Sequence, residues 1–247
     1  MTFGSLFTGF GGMDLGLEAA GLRCIWQAEN DPDACIIRDH YWPHVPNLGD
    51  VCAVEWGGVE CPDLVCGGDP CQENSRANTR GQSPKHPSLA HEFLRCVAEL
   101  RPRFVLRENP PARPDAPWPW REFRARLERL GYAVLPFRLR ACCLGAEQRR
   151  ERVFLLAEIP DDDSIRRDPL PQSLRDRSQD AYQSFRAVLD GRDAAPSWAE
   201  ACAAALRRGD DGLPRWVHRA AIRGLGNAVA PPVAYEIGRR LMEAVKC

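Results

Sequence analysis

A chain of 247 residues with 44% hydrophobic and 27% charged residues has the make-up of a soluble globular protein: one large domain, or one domain with a small appendage. No apolar run approaches the roughly 18 residues of a membrane span, and the N-terminus lacks a signal-peptide pattern. The net charge of −1 gives no global basic field, so a polyanionic partner has to be met by local clusters.

Ser5-Leu6-Phe7 reads as a short strand running into the glycine-rich turn Thr8-Gly9-Phe10-Gly11-Gly12. Met13, Leu15, Leu17 and Ala20 then begin a helical pattern that Gly21 closes. Strand, glycine turn, helix is a layout that lets backbone amides approach a cofactor, although such turns also serve only to pack a strand on a helix. Arg23 to Ala28 is a second strand, ending at Glu29. An acid about twenty positions beyond a glycine turn, at a strand tip, is placed to grip ribose hydroxyls. It equally suits the start of a helix, which Asp31-Pro32-Asp33 announces. Asp50 ends a third short element, Asn47 to Val51.

Asp63-Leu64-Val65-Cys66 reads as a buried strand delivering Gly67-Gly68-Asp69-Pro70-Cys71-Gln72 to its carboxyl end, the end at which open α/β sheets bind ligands. Pro-Cys there presents a thiol on a stiff turn; the alternative is a buried cysteine beside a tight turn. Cys61, Cys66 and Cys71 recur every five residues, a spacing that suits no zinc site. The 11 cysteines form no CxxC pair and fit reduced thiols in a cytoplasmic compartment. A polar loop spans residues 72–87, and Ser88 is placed to cap a helix carrying Leu89, Phe93, Val97 and Leu100. The strand Arg103–Arg107 delivers Glu108-Asn109-Pro110-Pro111 to the same rim as Cys71. A helix over Arg121–Leu130 capped by Gly131, a strand from Tyr132 to Leu139, and a strand over Val153–Ala157 follow. The arginines of Gln148-Arg149-Arg150-Glu151-Arg152 are either a solvated face or holders of phosphates and a base edge. Residues 161–193 are charged and loosely patterned. Gly226-Asn227-Ala228-Val229 opens a last helix whose inner face carries Val233, Ile237, Leu241 and Val245.

In this order the motifs resemble the DNA (cytosine-5) methyltransferase family. Five stretches carry the likeness: Phe7 to Gly12, Gly68 to Gln72, Arg107-Glu108-Asn109, Gln148 to Arg152, and Gly226 to Val229. They extend over residues 3–159 and 217–247, roughly three quarters of the chain. The resemblance implies an α/β fold: a Rossmann-like S-adenosylmethionine-dependent methyltransferase sheet flanked by helices, with a small, reduced recognition region. Residues 1–159 would form the catalytic and cofactor-binding core and 160–216 the recognition region, with 217–247 returning to complete the core.

The same likeness assigns roles. Phe7, Gly9 and Gly11 would line the methionine and adenine side of the cofactor, and Glu29 would take the ribose. Asp50 and Val51 would contact the adenine, and Asn227, Ala228 and Val229 would close the pocket. Cys71 matches the nucleophile. Cytosine C5 is a poor nucleophile towards a sulfonium methyl; a thiolate added at C6 makes the ring enamine-like and is later eliminated. Glu108 would hold the N3/N4 edge, Arg152 the base O2, and Arg150 the loop or a phosphate. The base has to leave the duplex stack to be reached. Gln72, Ser75, Arg149, Arg166 and Arg167 would contact double-stranded DNA. Ser5, Asn30, Asp69 and Pro110 depart from the family pattern, and Asp69 is a liability, since an acid so near the thiol opposes its ionisation unless it points away.

The implied protein is a compact bacterial or phage-type DNA cytosine-5 methyltransferase of the restriction–modification kind. Its rivals are an RNA cytosine-5 methyltransferase and a catalytically silent DNA-binding module on the same scaffold.

Overall fold

In the computed structural model the described residues are 1–70, 89–111, 119–141, 151–159 and 229–245. Six strands form one sheet in the order β2-β1-β3-β4-β6-β5: β1 (Thr2–Leu6), β2 (Arg23–Ala28), β3 (Leu64–Gly67), β4 (Phe104–Asn109), β5 (Ala133–Arg140) and β6 (Glu151–Glu158). β1 runs parallel to β2 and β3 parallel to β4, whereas β6 is antiparallel to β4. The helices are α1 (Gly12–Ala19), α2 (Pro32–Tyr41), α3 (Ala90–Leu100), α4 (Pro119–Arg129) and α5 (Pro231–Ala244). This is the expected α/β sheet flanked by helices.

The chain divides into two compact units, one comprising Met1–Val54, Leu139–Arg150 and Asp193–Cys247, the other Glu55–Arg138 and Glu151–Arg192. In the first unit Phe3, Leu6, Leu17, Trp26, Ile37 and Trp42 make the core. Gly21 ends α1 as expected, its N–H bonding the Glu18 carbonyl while Leu22 N–H reaches back to Leu17. Asp31 caps α2 through its carboxylate on the Ala34 N–H, with Pro32 at the first helical position. α5 lies against α1 at such close range that a Cβ on Gly16 would sit 2.4 Å from the Pro231 carbonyl oxygen and 2.6 Å from the Ala234 Cβ. Only glycine admits that approach.

In the second unit Leu64, Val65 and Leu106 of the sheet, Phe93 and Val97 of α3, and Phe123 and Leu127 of α4 make the core. Phe93 and Phe123 meet edge to face at 5.4 Å between centroids. Gly131 closes α4 in the same manner as Gly21 closes α1, and Tyr132, fully buried, satisfies its hydroxyl on the Pro102 carbonyl.

Several boundaries differ from the sequence reading. β1 ends at Leu6, which leaves Phe7 outside the strand with a left-handed backbone, φ 53°. The element expected at 47–51 is a single bridge, Gln27 to Asn47, followed by a 3-10 turn over Val51–Ala53. β4 runs on through Glu108 and Asn109, because both pair with β6, opposite Phe154 and Val153. α3 has Leu89 at its N-cap with no side-chain bond, and Ser88, the expected cap, lies outside the described residues. Val245 ends exposed beyond the buried Val233, Ile237 and Leu241. No helix among the described residues is long and apolar enough to cross a membrane.

Candidate active site

Of the residues expected to hold the cofactor, Phe7, Gly9, Gly11 and Glu29 follow the carboxyl ends of β1 and β2. After Leu6 the chain enters Phe7, Gly9 and Gly11 in succession with positive φ, at 53°, 56° and 71°. For a bulky residue such as Phe7 this conformation costs on the order of 1–3 kcal/mol, and strain of that kind gathers at ligand sites. The side chain of Glu29 organises the turn. Its Oε2 accepts the Gly9 N–H at 2.7 Å, and its Oε1 accepts the N–H groups of Asn30 and Asp31 at 2.9 and 2.7 Å. Asn47 ties the same tip from outside, accepting from Glu29 N and Gly49 N while donating to the Glu29 carbonyl. Asp50 caps the following 3-10 turn on the Cys52 N–H at 2.9 Å; that bond, with help from the Asn30 side chain, holds its carboxyl below the usual range. Val51 is buried beneath it, and Val229 is buried just ahead of α5.

These residues fit S-adenosylmethionine. A carboxylate has about four acceptor positions, so Glu29, fixed by three backbone donors, keeps one for a ribose hydroxyl. Asp50, ionised and exposed, is an acceptor for an exocyclic amine.

A buried polar relay behind this turn was not foreseen in the sequence. Asp14 of α1 accepts from Ser5 Oγ at 2.7 Å and from Gln27 Nε2 at 2.6 Å, and Gln27 in turn accepts from Arg38 Nε at 2.8 Å. Burial pushes the Asp14 carboxyl up to about 6, against the downward pull of its Gln27 and Ser5 bonds. The relay explains one departure from the family pattern: an aspartate in place of Ser5 would set two carboxylates in contact. Asn30 is accounted for as well, since its side chain serves Asp50.

Glu108 and Arg152, expected to be catalytic, both belong to the second unit. Glu108, on β4, meets Arg152 of β6 with Nε 2.7 Å from Oε1. In the antiparallel register Glu108 faces Phe154, which puts Arg152, two residues before it, diagonally across on the same face. Both are largely buried, at 8% and 20% side-chain exposure. Glu108 also crowds the end of β3, since a Cβ on Gly68 would lie 2.8 Å from its Oε2. The glycine is what lets the carboxylate stand over the turn that leads to Pro70 and Cys71.

On the other face of β4, Arg107 grips Asp69 with two parallel bonds, Nε to Oδ1 at 2.6 Å and Nη2 to Oδ2 at 2.9 Å. Asn109 Nδ2 adds a third to Oδ1 at 2.9 Å. The liability expected of Asp69 is thereby met by an opposite charge in direct contact. Cys71, Gln72, Ser75, Arg149, Arg150, Arg166, Arg167, Asn227 and Ala228 lie outside the described residues.

A family model described as C-5 cytosine-specific DNA methylase matches residues 1–194. The chain belongs to this family. The match reaches beyond residue 159 and stops short of Gly226–Val229, which the sequence resemblance had included. Among curated relatives, the type II methyltransferase M.AquIA of Picosynechococcus is 33% identical over 178 residues, 62% of this chain and 69% of its own length. A DNA N-6-adenine-methyltransferase of Escherichia phage P1 is 33% identical over 125 residues, 45% of this chain but 17% of its own. Among solved structures, a DNA modification methyltransferase encoded within an E. coli prophage superposes with a TM-score of 0.53 at 26% identity, covering 64% of this chain and 47% of that one. The chain thus spans well under two thirds of the length of two of these three.

Proposed function

We propose that this chain is an S-adenosylmethionine-dependent DNA cytosine-5 methyltransferase that acts on a base extruded from the duplex, with Cys71 as nucleophile. The observation that carries the reading is the Glu108–Arg152 pair standing over Gly68, at the end of the strand that leads into Pro70-Cys71. A carboxylate and a guanidinium side by side match the two edges of a pyrimidine: one accepts from N4 and a protonated N3, the other donates to O2.

Bound S-adenosylmethionine supplies an electrophilic methyl group, held by Glu29, Asp50, Val51 and the turn from Phe7 to Gly11, with Asn227, Ala228 and Val229 completing the pocket. The Cys71 thiolate adds to C6, forming a sulfur–carbon bond and pushing the C5–C6 electron pair towards C5. Glu108 stabilises the ring as N3 takes up a proton, and Arg152 fixes the base through O2. Arg150 supports the loop or a phosphate. With the sulfonium methyl transferred to C5 and a neutral thioether released, C5 would give up its hydrogen as a proton to solvent water and N3 would return its added proton. The C5–H electron pair then re-forms C5=C6 and the thiolate leaves. An adenine N6 amine attacks a methyl sulfonium without covalent help, so the Pro-Cys turn and the Glu108–Arg152 pair favour cytosine.

Gln72, Ser75, Arg149, Arg166 and Arg167 are proposed to hold the DNA, and residues 160–216 to act as a reduced recognition region. The reading takes the protein to be a bacterial or phage cytoplasmic enzyme. Labelled methyl transfer to matched DNA and RNA tests it. Transfer to DNA, mapped by bisulfite to C5 of cytosine, is expected; transfer to RNA alone would favour the RNA enzyme, and none to either the silent module.

A further inference from the structure

Asp69 stands two residues ahead of Cys71 and is 4% exposed. A lone carboxylate there would be expensive to bury and would oppose ionisation of the neighbouring thiol. Instead Arg107, 1% exposed, takes both of its oxygens side-on, and Asn109 takes Oδ1 again. Fork-to-fork pairing fixes direction as well as charge. The guanidinium is itself held by α4, lying 4.1 Å from the Phe123 ring centroid. Alternation along β4 sends Arg107 and Asn109 to one face and Glu108 to the other, where it meets Gly68 and Arg152. The last three residues of β4 therefore grasp the end of β3 from both faces.

We propose that Asp69, Arg107 and Asn109 are positioning residues for the reaction. They lock the exit of β3, and with it the chain entering Pro70-Cys71, against the strand that carries Glu108. They also balance the charge of Asp69, so that this carboxylate does not oppose ionisation of the thiol. The proposal rests on the reading of Cys71 as the nucleophile. A purely structural role explains it less well, because apolar residues of similar volume often replace a buried ion pair without loss of stability.

The test uses the full-length chain as wild type, Arg107→Met, and the double variant Asp69→Asn/Arg107→Met, which keeps no buried charge at the site and so retains the fold. Three quantities are read: S-adenosylmethionine affinity, the rate of covalent capture on DNA carrying 5-fluorocytosine, and the pH dependence of Cys71 alkylation by iodoacetamide, resolved by peptide mass spectrometry. In Arg107→Met the Cys71 alkylation profile is expected to move up by about one pH unit, a tenfold loss of thiolate at neutral pH. In the double variant the profile returns to that of the wild type, while capture stays about tenfold slow and cofactor affinity stays within about twofold, because the fork that sets the turn is gone. If the double variant captures DNA as fast as the wild type, the positioning role is overturned, whatever Arg107→Met does. An unmoved profile in folded Arg107→Met overturns the charge role. Failure of the underlying reading looks different: the wild type itself then captures no DNA.

Discussion

Glu108 is a residue whose surroundings have been arranged on three sides. Gly68 makes room for it, Arg152 pairs with it, and the ladder to Phe154 fixes the backbone that carries it. On the proposed reading its bond to the base strengthens only as the ring is attacked, so Glu108→Gln is expected to slow transfer by about 10²–10³-fold with S-adenosylmethionine affinity nearly unchanged. Arg152→Ala is expected to do the same, since it removes the proposed base contact and the cation paired with Glu108. Single-turnover methylation beside equilibrium cofactor binding checks both; equal losses in the two measurements would assign structural roles instead. Asp14 is tuned in the opposite sense. Its folded pKa, about 6, lies above the ordinary carboxyl value of 3.8, so folding favours the protonated form. That contribution is complete below about pH 4 and is lost as pH rises through about 6, leaving a cost on the order of 3 kcal/mol at pH 8. Asp14→Asn can keep both partners, accepting from Gln27 and donating to Ser5. Its melting temperature is expected to exceed the wild type's at pH 8, with the difference shrinking towards pH 5; a pH-independent difference would contradict the account.

At the scale of elements, the sequence was most legible where local rules decide. Gly21, Gly131 and the Asp31-Pro32 start define helix ends through short-range geometry, and all three stand as expected. β2 spans the expected residues because its aromatic and apolar positions meet no competing pattern. β4 was harder to read: Glu108 and Asn109 look like loop residues until their antiparallel partners on β6 are known, and those lie more than forty positions away. Arg107 is another such case. A charged residue at a strand end suggests an exposed edge, and nothing nearby in sequence reveals that Asp69 and the Phe123 ring enclose it. The Asp14 relay likewise joins β1, α1, β2 and α2, so no single stretch displays it. The α1–α5 contact offers a direct check on the role of the returning C-terminal helix. Gly16→Ala places a methyl group against the Pro231 carbonyl, which cannot yield as a side-chain tip would. A stability loss of about 1–3 kcal/mol in urea unfolding is expected, together with weaker S-adenosylmethionine binding; unchanged cofactor affinity would show that α5 does not help to shape the pocket.

For the molecule as a whole, short motifs conveyed the family, and the family match over residues 1–194 takes in four of the five. Target choice is the least legible property. Reading a base pair takes about 1–3 kcal/mol per bidentate contact on a rigid platform, and residues 160–216 are rich in arginine but poor in apolar residues to fix it. Such arginines mainly hold phosphates. Methylation of a random DNA library is therefore expected to show a short or degenerate context, and binding is expected to weaken steeply with salt. One strict site of four or more base pairs would contradict this. The central claim is tested most directly by covalent trapping. Fluorine at C5 blocks the proton loss that frees the enzyme, so the full chain, incubated with S-adenosylmethionine and duplex DNA containing 5-fluorocytosine, should form a denaturation-resistant complex whose cross-linked peptide maps to Cys71. Absence of the complex, or a cross-link at any of the other cysteines, would contradict the account.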